Sequence, residues 1–280
     1  MQNIKLTLAY DGTDFSGWQI QPGQPTVQGA ISDVLENLTQ QRLQIQGAGR
    51  TDAGVHAAGQ VANFKTEAEL SADEFQRAFN ALLPDSIRIV AAEQVAPDFH
   101  ARWNAVAKTY RYRIFRGRVV SPFLWRYVQH DPFPLDFDAM AEAARKFEGQ
   151  HDFTSFAAST GSEDEDRDRT MTRVIYRSEM ARVNCGDLPG AGEEWVYTVR
   201  GKSFLRYMVR KIVGTLVDVG RGKLMPEDIA QLFELRDRSK SGPTMPPQGL
   251  CLAEVEYPDK LGHDEANEER HGPAGTIRVE

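Results

Sequence analysis

Gly47-Ala48-Gly49-Arg50-Thr51-Asp52-Ala53-Gly54-Val55-His56-Ala57 stands between two segments that have the pattern of β-strands. Glycine permits a positive φ and lets the backbone come close to a ligand. Asp52 therefore lies on a tight loop, two residues after Arg50, whose positive charge is expected to lower the carboxyl pKa. An ionised carboxylate can act as a base or as a nucleophile. The stretch predicts a connection between strands that carries a candidate catalytic residue.

Two further interpretations of this loop stay open. It can be an ordinary turn, in which Asp and Arg are common, or an anion-binding loop made of glycine-rich backbone. The loop does not end in the Lys-Ser/Thr of a phosphate-binding loop, and no dinucleotide-binding Gly-x-Gly-x-x-Gly pattern opens a helix here.

The composition is that of an ordinary globular protein. The chain has 280 residues, of which 41% are hydrophobic and 26% charged, enough for two domains or one large one. No apolar stretch approaches the roughly 20 residues that span a bilayer, and no signal peptide precedes the first strand pattern. Cys185 and Cys251 are far apart, so we expect neither a disulfide framework nor a zinc site. These features favour a cytoplasmic protein without a membrane or metal partner.

Charge is distributed unevenly along the chain, although the net charge is only -7. Residues 108–118 are basic with interleaved aromatics, and a second basic group follows at Lys202, Arg206, Arg210 and Lys211. Acidic residues are concentrated at 163–166 and 264–269. Basic, aromatic surfaces suit phosphate contacts and base stacking in RNA. A solvated strand face is the equal alternative.

Hydrophobic periodicity predicts the elements of each half of the chain. In the first half, strands are predicted near 4–10, 42–48, 58–65 and 86–95, with helices near 26–39 and 71–83. In the second half, strands are predicted at 106–116, 172–184, 195–201 and 250–256, with helices near 137–147, 204–219 and 226–235. Ser71 and Glu74 have the spacing of a capping box. Arg206 and Arg210 are expected to be neighbours on one side of helix 204–219.

The predicted fold is α+β, with two ferredoxin-like split β-α-β halves placed edge to edge. They form one extended, mostly antiparallel sheet that has its helices on one face and leaves the other face open for a large ligand. We expect an N-terminal half at 1–105, which carries the aspartate loop, and a C-terminal half at 106–257. Residues 258–280 lose apolar periodicity and are predicted to be a disordered polar tail.

Six motifs in order resemble the tRNA pseudouridine synthase A family. They are Tyr10-Asp11-Gly12-Thr13-Asp14-Phe15-Ser16-Gly17-Trp18-Gln19 with Thr26-Val27-Gln28-Gly29, Gly49 to Ala57, Ala107-Lys108-Thr109-Tyr110-Arg111-Tyr112, Phe147 to Phe156, Phe204 to Gly214, and Pro246-Pro247-Gln248-Gly249-Leu250. The resemblance covers most of the chain between Tyr10 and Leu250.

The resemblance implies isomerisation of uridine to pseudouridine at positions 38, 39 and 40 of the tRNA anticodon stem-loop, by a homodimer without metal or organic cofactor. Asp52 takes the place of the family's nucleophilic aspartate, and Tyr110 that of the tyrosine that stacks on the target base. Arg210, and after it Arg50, would be the basic partners. Lys108 and Arg206 are further candidates for binding the substrate.

These assignments are not the only ones that the residues permit. Tyr110 can be a tyrosine of the core or of the sheet surface, and His56, four residues after Asp52, is interpreted as a structural residue of the loop. The chain can instead be a synthase of the same fold that acts on another RNA site. It can also be a non-catalytic tRNA-binding protein or a nucleotide-binding enzyme.

Overall fold

One mixed sheet organises the part of the chain that the computed structural model describes, residues 1–158, 170–184 and 192–258. Within these ranges, ten strands form a mostly antiparallel sheet and five α-helices lie on one face of it. The predicted α+β class is confirmed. No helix in the described ranges is long and apolar enough to cross a membrane.

The first half follows the predicted order of elements. They are β1 (Gln2–Tyr10), α1 (Val27–Thr39), β2 (Gln46–Gly47), β3 (His56–Thr66), α2 (Ala72–Leu82) and β4 (Ile87–Val95). Both helices begin at side-chain caps: the Thr26 hydroxyl accepts from the backbone N–H of Gly29, and Ser71 forms the predicted capping box with Glu74.

The second half repeats this order with longer connections. Its elements are β5 (Ala107–Phe115), β6 (Gln129–His130), α3 (Phe137–Arg145), β7 (Gly149–Asp152), β8 (Thr172–Asn184), β9 (Glu193–Gly201), α4 (Met208–Gly220), α5 (Asp228–Leu235) and β10 (Leu250–Glu256). The strand order across the sheet is β4-β1-β3-β10-β5-β9-β8-β7. The last strand, β10, therefore lies between the two halves.

Two strands, β2 and β10, pair with different parts of the same edge of β3. β2 pairs antiparallel with Ala62 and Asn63, whereas β10 pairs parallel with His56 and Ala57. The aspartate loop connects β2 to β3 and so lies where the two halves join. The division at residue 105 stays a prediction, because β10 contacts both halves.

Two predicted elements are shorter than expected. The strand predicted at 42–48 is reduced to two residues, because the carbonyl of Ile45 accepts from the side chain of Gln28 and makes no ladder bond. The helix predicted from residue 204 begins only at Met208, because Tyr207 has a left-handed backbone with φ 62°. Arg206 therefore precedes the helix, and the prediction that it shares a helix face with Arg210 is wrong. Residues 159–169 and 259–280 lie outside the described ranges, so the predicted disorder of the tail stays a prediction.

Two glycines of α4 provide a matched test of backbone packing. A methyl group at Gly214 would lie 1.8 Å from the carbonyl oxygen of Pro243, which is backbone and cannot move away alone. At Gly220 the nearest atom would be the Met140 sulfur at 2.6 Å, at the end of a flexible side chain. We expect Gly214→Ala to lower the free energy of unfolding by about 1–3 kcal/mol through overpacking.

Gly220→Ala is the control, because alanine favours helix and the thioether can move. Its unfolding free energy, from urea titration, should stay within about 0.5 kcal/mol of wild type. Equal destabilisation by the two substitutions would contradict the close approach of the backbones at Gly214.

Candidate active site

The loop that carries Asp52 is anchored by polar contacts to the residues that precede Asp52. The hydroxyl groups of Tyr10 and Thr51 are 2.8 Å apart and form a buried hydrogen bond. The side-chain amide of Gln60 donates to the carbonyl of Gly49 at 3.0 Å. The ammonium of Lys108, on β5, donates to the carbonyl of Ala48 at 2.6 Å. These contacts fix the backbone of the loop and with it the position of the carboxylate.

Asp52 forms an ion pair with Arg210 across the junction of the two halves. Arg210 Nη1 lies 3.4 Å from Asp52 Oδ2, and the two side chains are 13% and 23% exposed, respectively. The guanidinium is also held by the backbone, because Arg210 Nε donates to the carbonyl of Met245 at 2.6 Å. Met245 in turn donates its backbone N–H to the carbonyl of Arg210 at 3.2 Å. The pair is therefore positioned by backbone as well as by charge.

The pKa of Asp52 is raised above its ordinary value, which is opposite to the direction expected from the sequence. Burial disfavours the ionised carboxylate and outweighs the lowering effect of Arg210 and, to a smaller extent, of Arg206. Arg50 is exposed, and its Nε donates to Gln19 Oε1 at 3.1 Å. The expectation that Arg50 lowers the pKa of Asp52 is wrong, because the net shift is upward and the lowering effects come from Arg210 and Arg206.

Tyr110 lies on the helix-bearing face of the sheet. It pairs across the ladders with Val199 and Leu252, both fully buried, whereas its neighbour Arg111 is exposed on the opposite face. Directly paired residues share a face, so Tyr110 points toward the helices. The candidate site is thus on the helix-bearing side, not on the open face that the sequence predicted for a large ligand.

The ring of Tyr110 is only 8% exposed and packs edge-to-face on Phe204 at a centroid distance of 5.0 Å. Within the described ranges its hydroxyl has no hydrogen-bond partner. The pKa of Tyr110 is raised, mainly by burial and further by Tyr10 and by the nearby charge of Asp52. The phenol is therefore neutral at physiological pH and adjacent to the carboxylate.

Tyr207 is a residue of the site that sequence reasoning missed. The guanidinium groups of Arg206 and Arg210 each lie 4.9 Å from the centre of its ring. Arg206 also donates to the Tyr207 hydroxyl at 3.2 Å. A left-handed backbone at a bulky residue has no sequence signature, since glycine or asparagine is usual there. One strained tyrosine therefore brings together the two cations that act on Asp52.

The basic strand predicted at 108–118 is partly neutralised. Arg113 donates to the carboxylate of Glu194 through two hydrogen bonds of 2.7 Å. Arg116 Nη1 lies 3.3 Å from Asp131 Oδ1. The charge of these two arginines is thus compensated within the protein, and Arg111 remains exposed.

His56 is a buried structural residue of the same loop. Its Nδ1 accepts from the backbone N–H of Gly12 at 3.0 Å, and its Nε2 contacts the carbonyl of Arg126 at 3.0 Å. Burial lowers the pKa of His56 despite the nearby Asp11 carboxylate, so the ring is neutral. In the described part of the chain, no group of three or more His, Cys, Asp or Glu side chains is arranged to hold a metal ion.

Lys108 provides a pH-dependent test of how the loop is anchored. Burial, with a smaller contribution from Arg102, lowers the pKa of Lys108 from 10.5 to about 8. Between these values the unfolded chain binds more protons than the folded chain, so this residue makes the free energy of unfolding rise with pH. Below about pH 7 both states are protonated and the contribution is constant.

We expect the unfolding free energy of wild type, measured relative to Lys108→Met by urea titration, to increase from about pH 8 to about pH 10. Lys223→Met is the control, because Lys223 is exposed and pairs with Asp218 at 2.9 Å. The difference in unfolding free energy between wild type and Lys223→Met should not rise between about pH 8 and about pH 10. A flat difference for Lys108→Met would show that the amine is solvated rather than buried against the loop.

The chain is similar to known proteins over most of its length. The family model described as tRNA pseudouridine synthase matches residues 7–104 and 143–258. The tRNA pseudouridine synthase A of Solibacter usitatus is 48% identical over 257 residues, which cover 92% of this chain and 100% of the relative. The protein of the same name from Brevibacillus brevis is 46% identical over 258 residues, again covering 92% and 100%. The chain belongs to the tRNA pseudouridine synthase family.

Proposed function

We propose that this chain isomerises uridine to pseudouridine at positions 38, 39 and 40 of the tRNA anticodon stem-loop, with Asp52 as the nucleophile and without a cofactor. The observation that carries the proposal is the buried ion pair of Asp52 and Arg210 beside the ring of Tyr110 in a chain of this family. The choice of the anticodon stem-loop rests on the six motifs that resemble the A family.

The chemistry needs few groups because substrate and product are isomers. The bond between N1 of uracil and C1′ of ribose breaks, the base turns, and a bond forms between C5 and C1′. The proton on C5 leaves, and N1 gains one, so no atom and no electron is lost overall. A single carboxylate can serve as the covalent catalyst by attack on the sugar or on the base, or as a base if a glycal forms.

Arg210 supplies a positive charge beside the Asp52 carboxylate, and Tyr110 supplies an aromatic ring for the target base. Arg210 favours the ionised form of the partly buried Asp52 and so opposes the effect of burial, which favours the neutral acid. Tyr110 offers a fixed aromatic ring for the target base, which has to leave its stack to reach the loop. Stacking on this ring offsets part of the unstacking cost, and the neutral phenol is available to exchange a proton with the base.

The remaining basic residues support RNA binding in two ways. Arg50 is exposed at the start of the loop, and Arg206 is exposed beside Tyr207, so both are accessible to phosphates. Lys108 binds the loop carbonyl of Ala48 and adds positive charge beneath the site. We infer that the protein acts in the cytoplasm. We also infer that it is a homodimer, because one chain of this size offers little surface beyond the site for the body of a tRNA.

A synthase that acts on another RNA site is the second candidate function, since the Asp52 loop would be the same. The experiment that separates the candidates is incubation with unmodified tRNA followed by pseudouridine mapping at each uridine. Modification confined to positions 38, 39 and 40 supports the proposal. Modification elsewhere supports the second candidate, and none at all supports a binding protein.

Asp52→Asn tests the nucleophile directly. The side chains have nearly the same shape, so we expect tRNA affinity to change less than about threefold, which is within 1 kcal/mol. Loss of the covalent catalyst should reduce turnover by several orders of magnitude. Single-turnover assays and filter binding measure the two quantities separately. Substantial turnover by the asparagine variant would remove Asp52 from this role.

Arg210→Gln tests the electrostatic role of the ion pair through the pH profile of turnover. The guanidinium lowers the pKa of Asp52, so its removal should move the acid limb of kcat to higher pH. Arg206, the other cation that acts on Asp52, remains. Arg210→Lys, which keeps the charge, should show a smaller displacement. An acid limb that is unchanged in the glutamine variant would contradict this role.

A further inference from the structure

A cleft adjoins Tyr207 and Arg206, two residues close to the candidate active site. Its volume is about 460 Å³, and it is lined by Arg206, Tyr207, Lys211, Arg238, Ser239 and Thr244. Lys211 follows Arg210 on the first turn of α4. The cleft therefore shares Arg206 and Tyr207 with the surroundings of Asp52 but is lined by a different set of cations.

Lys211 is a buried cation without an acidic partner in the part of the chain that the structure describes. The residue is only 9% exposed. Its Nζ donates to the carbonyl of Arg238 at 3.1 Å, and within the described ranges no carboxylate lies within ion-pair distance of it. An ammonium group has three N–H donors, and a buried charge is costly unless it is paired. This geometry leaves donors available for an anion in the cleft.

Two arginines add to the positive charge of the cleft. Across residues 1–158, 170–184 and 192–258, neither Arg206 nor Arg238 forms an ion pair with Asp or Glu. The carboxylate of Asp237, next in sequence to Arg238, accepts from the backbone N–H of Ser239 at 2.8 Å. By contrast, Arg113 and Arg116 on β5 are compensated by Glu194 and Asp131. The cleft thus concentrates cations whose charge is not compensated by these described residues.

We propose that the cleft binds a backbone phosphate of the RNA next to the nucleotide that enters the Asp52 site, an inference that rests on the proposed function. Arg206 provides the connection, since it acts on Asp52 and also lines the cleft. A ligand that spans both places has to be one continuous chain with regularly spaced anions. Guanidinium groups suit phosphate, and the hydroxyls of Ser239 and Thr244 are additional donors.

Lys211→Met tests the proposal, because methionine keeps an apolar stem of similar length and removes the ammonium, with its charge and its hydrogen bond to the Arg238 carbonyl. We expect tRNA binding to weaken roughly tenfold, and the slope of log affinity against log salt to become shallower by about one contact. Turnover at saturating tRNA should be retained, because Lys211 does not touch the reacting atoms. Lys223→Met, just beyond the other end of the same helix, should bind tRNA with the wild-type slope.

A synthetic anticodon stem-loop hairpin with single methylphosphonate substitutions identifies the phosphate. At one position next to the target uridine, the neutral linkage should weaken binding to wild type roughly tenfold and have little effect on Lys211→Met. The proposal would be overturned if, at every position, the loss of affinity from the neutral linkage simply added to the loss from Lys211→Met. An unchanged salt slope for Lys211→Met would also overturn it. If Lys211→Met is less stable to heat than wild type, the exposed Arg238→Gln provides the same two readouts.

The two proposals fail in different ways. Wild type that binds tRNA but forms no pseudouridine overturns the proposed function, while the salt slope of Lys211→Met still decides whether the cleft binds phosphate. Wild type that modifies tRNA normally, with the same salt slope in both variants, overturns only the phosphate site.

Discussion

The geometry of the candidate site depends on one short segment, residues 243–249, which lies between the helices of the second half and the central strand β10. The carbonyl of Met245 accepts from Arg210, and the carbonyl of Pro246 accepts from the Tyr112 hydroxyl at 2.8 Å. The ring of Pro247 packs on Gly54, which has φ 75° and no room for a side chain. The aspartate loop, β5 and α4 are therefore all held by the same stretch of backbone. Because β10 follows directly, the same stretch of chain links the site to the centre of the sheet.

That constraint places a positive partner beside a partly buried carboxylate. Burial alone would favour the protonated acid, and the strongest compensation that the structure gives Asp52 is a guanidinium from the other half of the chain. The opposing effects leave a carboxyl group whose pKa is raised but whose charge has a fixed partner. Such a group is more basic than a solvated aspartate, and it is positioned before the substrate arrives. The environment of Asp52 thus depends on both halves of the sheet.

Most of the fold was predictable from the sequence, but the arrangement around the candidate site was not. The capping box of Ser71 and Glu74 was predictable because helix caps are local in sequence. Asp52 was identified from its motif, whereas the direction of its pKa shift was not, because burial depends on distant residues. The late start of α4 at Tyr207 was missed, since a left-handed tyrosine is stabilised only by its tertiary contacts. For the same reason no pattern in the sequence indicated that Lys211 is buried away from the carboxylates of the described residues.

Tyr207 connects the Asp52 site with the neighbouring cleft. A left-handed conformation at a non-glycine residue costs about 1–3 kcal/mol, and it persists only when the surrounding structure determines it. The guanidiniums of Arg206 and Arg210 both lie 4.9 Å from the centre of its ring; Arg210 pairs with Asp52, and Arg206 lines the cleft. Cations held in place before binding lose little conformational freedom when an anion arrives. The strain at Tyr207 is therefore the cost of fixing, in a single turn of chain, one guanidinium beside Asp52 and another in the cleft.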